Sequence, residues 1–411
     1  MKSHPTDRRN VIRMLGAGAA AAIPFVSARA QTAEITIASI TPMTGGFAQY
    51  GRELARGVEL GVEAVNRKGV TVGGRTYKVN LKSYDDKTDP TTAARLTERA
   101  ATVDGANFII AGTGSGNAKS VMPIAQRLRV PVLAQWATVD TIYDAQRGNP
   151  YLFSNLTPFS RAYDRLWEEL PKLQNPRVQT VVMVSPNDEL GNLMAKLLPG
   201  QLQKAGLKHV HTELFPPTSQ DMSATVERCA QHKPDIFLIN CYTPQIIALF
   251  KQMQAVRFFP PVIIAEAPTR LAEALGSDIN GVYAPSFWAS SVSETKDAYV
   301  GNNSDFVNAY KAKFKEAPPD FVAAAGAANV VVCAMVAAKA GTITDQQALL
   351  NAFRTFNGET FFGSLQFGSD GMNSKGAAYA DQFQNRQLKL VFPSARKEAA
   401  PIHPYPNWKR V

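Results

Sequence analysis

Between Phe108 and Gly116 an apolar run, Phe108-Ile109-Ile110-Ala111, passes directly into Gly112-Thr113-Gly114-Ser115-Gly116, and a helical pattern begins near Asn117. This order of strand, small-residue loop and helix suits a small anion. The glycines let backbone approach a ligand closely, Ser115 adds a hydroxyl, and the free N–H groups of a helix start carry partial positive charge. A carboxylate or a phosphate fits such a loop. So does a tight strand-to-helix turn that binds nothing, and the loop by itself leaves both readings open. The spacing Gly112-x-Gly114-x-Gly116 also touches dinucleotide binding, but the fingerprint needs GxGxxG. Position 117 is Asn, and Asp140 lies beyond the place where an acidic residue is expected. HExxH, GxSxG and a cluster of cysteine ligands are absent from the sequence, so neither catalysis nor a cofactor is expected.

Two other groups of reactive residues carry less. Cys229, Cys241 and Cys333 match neither a zinc site nor a redox CxxC. Cys229 and Cys241 have the option of pairing in an oxidising compartment, but one falls in a helical pattern and the other at a strand end, which favours buried free thiols. His209 and His211 alternate onto one face of a strand. No third ligand stands near them in sequence, and they read as surface histidines rather than a metal site.

Composition narrows the class. Arg8-Arg9-Asn10-Val11-Ile12-Arg13, an Ala/Gly-rich apolar run to Val26 and Ala28-Arg29-Ala30 read as a twin-arginine export signal, either cleaved to leave Gln31 as the expected first mature residue or kept as an uncleaved anchor. Residues 1–30 hold five basic and one acidic side chain, so their removal lowers the net charge from +10 to +6. That balance, with no dense basic tract among aromatics, argues against nucleic acid. With 45% hydrophobic residues and no long apolar run read after Val26, the mature chain is expected to be soluble, globular and large enough for two lobes.

The elements that must position the loop alternate as βαβα. Strands are expected at 34–40, 76–84, 108–111 and 130–134. Helices are expected at 49–68, 89–103 and 117–128. Leu54, Val58, Val62 and Val65 give the first helix one apolar face, and Asp89-Pro90 opens the second with an N-cap and a proline at the first helical position. A second block follows with strands at 178–184, 208–214, 235–240 and 261–265, and helices at 160–170, 190–205, 221–232 and 244–256. The pattern predicts an α/β protein of two doubly wound parallel-sheet lobes, 31–155 plus 288–358 and 156–287 plus 359–392, with a cleft between them and a C-terminal tail at 393–411. Three crossings, near Leu156, Pro285 and Gly363, make a three-strand hinge. Late strands are read at 361–367 and 382–391.

With that organisation in place, a family resemblance can be assigned. Ile35-Thr36-Ile37-Ala38 with Thr41-Pro42-Met43-Thr44-Gly45 and Tyr50-Gly51 resembles the opening of the periplasmic binding proteins for leucine, isoleucine and valine. Asp85-Asp86-Lys87-Thr88-Asp89-Pro90, the loop with Ser115, Val130-Pro131-Val132 followed by Ala137-Thr138, and Gly191 continue the likeness in order and spacing. The resemblance implies the type I periplasmic binding fold, which shuts on ligand like a flytrap. It also implies a monomeric, exported component of an ABC transporter that hands a small carboxylate-bearing molecule to a membrane permease. In that family Gly114, Ser115, Ala137 and Thr138 would hold the ligand carboxylate, while Tyr242 and Glu266 would face its ammonium. Two positions depart from the family: Leu190-Gly191 replaces Tyr-Gly, and Trp136 stands where leucine binders carry a small residue. Glu266 points to an amino acid, whereas Trp136, Tyr242, Phe287 and Trp288 suit an aromatic carboxylate or a small amide. Phe287 and Trp288 also read as packing residues of a lobe or of the hinge. A sensor on the same fold is the rival function, and an oxidoreductase the more distant one.

Overall fold

The structure is a computed structural model that describes Met1 and residues 33–266, 271–292 and 294–407. The export signal and its cleavage site lie outside these residues.

The first sheet grows from four βα steps. β1 (Ala33–Thr41), α1 (Ala48–Lys68), β2 (Val70–Val72), β3 (Arg75–Asp85), α2 (Pro90–Thr102), β4 (Phe108–Thr113), α3 (Ser115–Leu128), β5 (Val132–Trp136), α4 (Asp140–Asp144) and β6 (Leu152–Ser154) follow one another along the chain. The six strands stand in the order β2-β3-β1-β4-β5-β6. All neighbours run parallel except β2, a short edge strand antiparallel to β3. β4 is buried at every position, as a central strand covered by helices on both faces must be.

The second sheet repeats the scheme. It takes α5 (Asp164–Glu169), β7 (Thr180–Pro186), α6 (Glu189–Lys204), β8 (Lys208–Phe215), α7 (Ser223–Gln231), β9 (Ile236–Ile239), α8 (Thr243–Ala255), β10 (Val262–Ala265), α9 (Leu271–Leu275) and β11 (Tyr283–Ser286). The chain continues through α10 (Asn303–Phe314), α11 (Phe321–Ala340), α12 (Gln346–Arg354), β12 (Asn357–Thr360), β13 (Gly363–Gln366), β14 (Tyr379–Gln384) and β15 (Gln387–Phe392). The seven-stranded order is β15-β14-β11-β10-β9-β7-β8, with β14 alone reversed, antiparallel to both β11 and β15.

The late strands read from sequence belong to hairpins. Within 361–367 a strand forms as the shorter β13, which pairs with β12 across a turn at Phe361-Phe362. Residues 382–391 are split at Asn385-Arg386, both with positive φ (51° and 63°), which is the twist a two-residue hairpin turn needs. Leu365 and Phe367 pack with Phe153 and Phe353 in the core of the first sheet. The expectation of no further long apolar run is corrected too. α11 is long and apolar enough to cross a membrane, yet 83% of that stretch is buried against the protein's own elements. It lies along α1 and over β2 and β5 as a core helix. The tail is irregular but pinned, since Tyr405 is 1% exposed and its N–H donates to the Pro261 carbonyl at 2.8 Å.

Candidate functional site

Every loop that meets the cavity leaves the carboxyl end of a parallel strand, where open α/β sheets gather ligands. β4 ends in Gly114, whose φ of 80° places it in the region glycine tolerates, and α3 starts at the next residue. Gly114 offers no side chain to cap that helix, so the first-turn N–H groups beside Ser115 have no side-chain acceptor. Three other helix starts at this cavity are capped. Asp188 accepts from Gly191 N–H at 2.9 Å, Asp320 accepts from Val322 N–H at 2.8 Å, and the Gln245 side chain accepts from Tyr242 N–H at 3.2 Å. α1, which brings Tyr50 to the cavity, also lacks a side-chain cap, but the N–H of Phe47 before it donates to the Thr88 hydroxyl at 3.1 Å. The start of α3 is left open to an anion.

The acidic pair of the loop after β3 holds this end of the sheet in place. Asp85 accepts from Met43 N–H (2.9 Å) and from the Thr44 hydroxyl (2.7 Å), tying β1 to β3. Asp86 accepts from Thr88 N–H (2.9 Å) and from Asn117 of α3 (3.0 Å). Beneath them the buried Gln135 amide donates to Ser39 and Thr41, both at 2.9 Å.

The Tyr50-Gly51 and Leu190-Gly191 pairs have a common cause. A Cβ on Gly51 would stand 1.9 Å from the Pro42 carbonyl oxygen, and one on Gly191 would stand 1.9 Å from that of Pro186. In each sheet the helix after a strand presses its first turns onto that strand's end. This aims the preceding residue, Tyr50 or Leu190, into the cavity.

The structure brings all eight residues singled out in the sequence, Gly114, Ser115, Trp136, Ala137, Thr138, Leu190, Tyr242 and Glu266, to one cavity of about 70 Å³ between the two sheets. Ser115 is half-buried; Ala137 and Thr138 are buried. Trp136 lies against Tyr50, ring centres 4.3 Å apart, so it forms a wall of the cavity. Phe287 lines the cavity too, packed edge-on to Phe321 at 5.1 Å. Trp288 is instead a packing residue, its indole N–H donating to Asn303 at 2.7 Å.

Opposite Ser115 the second sheet is acidic. Burial, and then the nearby Asp188, push the Glu266 carboxyl up to about 7. Among the described residues no cation or hydrogen-bond donor pairs with it. Burial and then Asp188 also raise the Tyr242 phenol, and burial raises Asp188 itself. Contacts reach across the cavity mouth: Gln49 donates to the Thr243 hydroxyl at 2.8 Å, Tyr50 and Thr243 share a hydrogen bond at 2.9 Å, and Lys119 pairs with Glu189.

Sequence reasoning passed over Tyr50 as a lining residue, and Phe159, Asp320, Phe321 and Asp381 altogether. Asp381 had one signal, an acid inside the apolar strand Tyr379–Gln384 where aspartate is disfavoured. Elsewhere, Cys229, Cys241 and Cys333 are buried free thiols. The two histidines are engaged separately, His209 with Thr212 at 2.8 Å and His211 with Glu213 at 3.1 Å. Among the described residues no metal-binding group forms.

A family model described as periplasmic binding protein matches residues 34–384. The chain is similar to a Leu/Ile/Val-binding protein homolog 7 of Brucella abortus (strain 2308), 25% identical over 89% of this chain and 92% of the relative. Its fold is similar to the substrate-binding protein of a branched-chain amino acid transporter from Streptococcus pneumoniae, solved with isoleucine (TM-score 0.74, 20% identity, 90% of this chain and 100% of that one). It is also similar to a solute-binding protein of an ABC transporter from Rhodopseudomonas palustris BisB5, solved with 3,4-dihydroxybenzoic acid (TM-score 0.68, 20% identity, 86% and 95%).

Proposed function

Since the chain belongs to the periplasmic binding protein family, we propose that it is the exported solute-binding component of an ABC uptake transporter, capturing an amino acid between its sheets and presenting it to a membrane permease. It is a binding protein and carries out no chemistry on its ligand. One observation carries the choice of ligand: an uncapped helix N-terminus with Ser115 and Thr138 shares a single cavity with the carboxylate of Glu266, which no cation among the described residues pairs with. Anion donors on one side and a cation acceptor on the other suit a zwitterion. Its carboxylate would rest on α3 and its ammonium on Glu266, joining the two sheets through the ligand.

The lobes follow from this reading. The first comprises the sheet of β1 to β6 with α10 to α12, and the second the sheet of β7 to β11 with β14 and β15. Because Leu365 and Phe367 pack in the first core, the last crossing is set after the β12–β13 hairpin rather than near Gly363. Export to the periplasm by the twin-arginine route, and action as a monomer, belong to the same proposal.

Aromatic walls support a second ligand class. Tyr50, Trp136, Tyr242, Phe287 and Phe321 line the cavity and would suit an aromatic carboxylate. Calorimetry separates the classes. Ser115→Ala should weaken ligand binding by roughly 1–3 kcal/mol for either, with the ligand-free melting midpoint unchanged; unaltered affinity would remove the carboxylate from α3. Glu266→Gln should weaken amino acids far more than benzoate-type acids, and equal losses would take the ammonium away from Glu266.

A further inference from the structure

We propose that Asp381 holds a second cationic group at the far end of the ligand, so that the cavity takes a dibasic amino acid rather than an aliphatic one. This rests on the amino-acid reading above and specifies it.

Asp381 sits on β14 directly opposite Ala284 of β11, while Ile264 of β10 pairs with Tyr283 on the other side of β11. Glu266, two residues past Ile264, and Asp381 thus flank β11 from its two neighbouring strands. Two strand spacings separate their backbones by roughly 10 Å. Both line the same cavity. Asp381 is only 8% exposed, and among the described residues its uncharged partner is the Ser286 hydroxyl. The charge that acts on it is Glu398, of the same sign. Among the described residues no lysine, arginine or histidine pairs with it.

A carboxylate in that position is costly to bury without a countercharge. Burial accordingly pushes its carboxyl up to about 7, with Glu398 adding to the rise. A leucine-like ligand would offset Glu266 with its ammonium and set methyl groups against Asp381. A ligand with an ω-ammonium or guanidinium would offset both. The walls agree with this, because Phe287 and Phe321 line the same cavity, and ring faces attract a desolvated cation. There is also room. The cavity adjoins a recess of about 70 Å³ that shares Asp320, Phe321, Asp381 and Leu388 with it and adds Glu398. Space therefore extends past Asp381 on its acidic side.

The test uses the mature protein, freed of any co-purified ligand, with L-leucine, L-lysine, L-ornithine, L-arginine and 3,4-dihydroxybenzoate, by calorimetry and thermal shift. At least one dibasic amino acid should bind more tightly than leucine. Asp381→Asn should cut that preference at least tenfold, and Asp381→Ser serves if the amide variant does not fold. Leucine bound as tightly as every dibasic amino acid overturns the assignment, as does a preference that neither variant changes. Selective binding of 3,4-dihydroxybenzoate lost in Asp381→Asn also overturns it, because phenol hydroxyls rather than a cation would then be what Asp381 holds. Ser115→Ala distinguishes the levels of failure. If it weakens leucine while the Asp381 variants change no preference, only this inference falls; if it weakens nothing, the amino-acid site falls with it.

Discussion

Replacing Glu266 by Gln should make the ligand-free protein more stable at neutral and alkaline pH, even as it weakens amino-acid binding. Burial and Asp188 raise the Glu266 carboxyl from 4.5 to about 7. The folded chain therefore keeps this proton through a pH range in which the unfolded chain has released it. The stability that follows is complete below the unfolded value and is lost as pH rises through the folded one. A displacement of about 2.5 units amounts to roughly 3 kcal/mol at full burial. Part of the side chain faces the solvent of the cavity, which reduces this to roughly 1–2 kcal/mol. Asp381, also raised to about 7, adds a pH dependence of the same sign. It is present in both proteins and cancels in their difference. Calorimetric melting of wild type and Glu266→Gln at pH 5, 6, 7 and 8 reads the effect directly. The midpoints should nearly coincide at pH 5 and separate by about 2–5 °C in favour of the variant at pH 8. A difference that stays constant with pH, or one that turns toward the wild type as pH rises, would refute the reasoning, since it would mean that the carboxylate is already paired in the folded state.

Other outcomes follow from the same geometry. Gly191→Ala forces a methyl against the Pro186 carbonyl 1.9 Å away, and the strain should cost about 1–3 kcal/mol, read as a lowered melting midpoint together with weaker ligand binding because Leu190 moves with α6. Gly51→Ala should behave alike in the first sheet, and an unchanged midpoint in both would count against the close approach. Cys229, Cys241 and Cys333 are buried and free, with burial raising each thiol further from ionisation, so a thiol reagent should titrate none of them in the folded protein and all three after denaturation. Titration of only one in the denatured protein would reveal a disulfide.

The alternation of β1 to β11 with their helices was legible because each strand is a short apolar run and each helix keeps one apolar face. The small-residue loop at Gly112–Gly116 announced an anion site or a turn, and its position at the end of β4, facing Glu266, makes the anion reading physically coherent. The late hairpins were hidden. Asn385-Arg386 carries no glycine to announce a two-residue turn, and Phe361-Phe362 looks like strand interior although it is a bend. Asp320 and Phe321 reach the cavity only because α11 packs against α1 from more than two hundred residues away, which no local pattern encodes. Asp381 showed only as an acid in a strand, because the partner that brings it to the cavity, Ala284 of β11, comes from a distant part of the chain.

Gln49 and Tyr50 on one side of the cavity share the Thr243 hydroxyl on the other, and any arrangement in which the lobes part must give these bonds up to water. At about 1 kcal/mol each, two such bonds move the balance between shut and parted forms roughly 30-fold. A receptor biased in this way binds its cargo more tightly, because less of the binding free energy is consumed in closing it. The same bias has a kinetic consequence. In the proposed uptake role, an empty molecule that shuts unaided would present a permease with the outline of a loaded one and occupy a docking place without delivering anything. The strength of the Thr243 bridge therefore sets a compromise between affinity for scarce solute and traffic wasted on empty carriers.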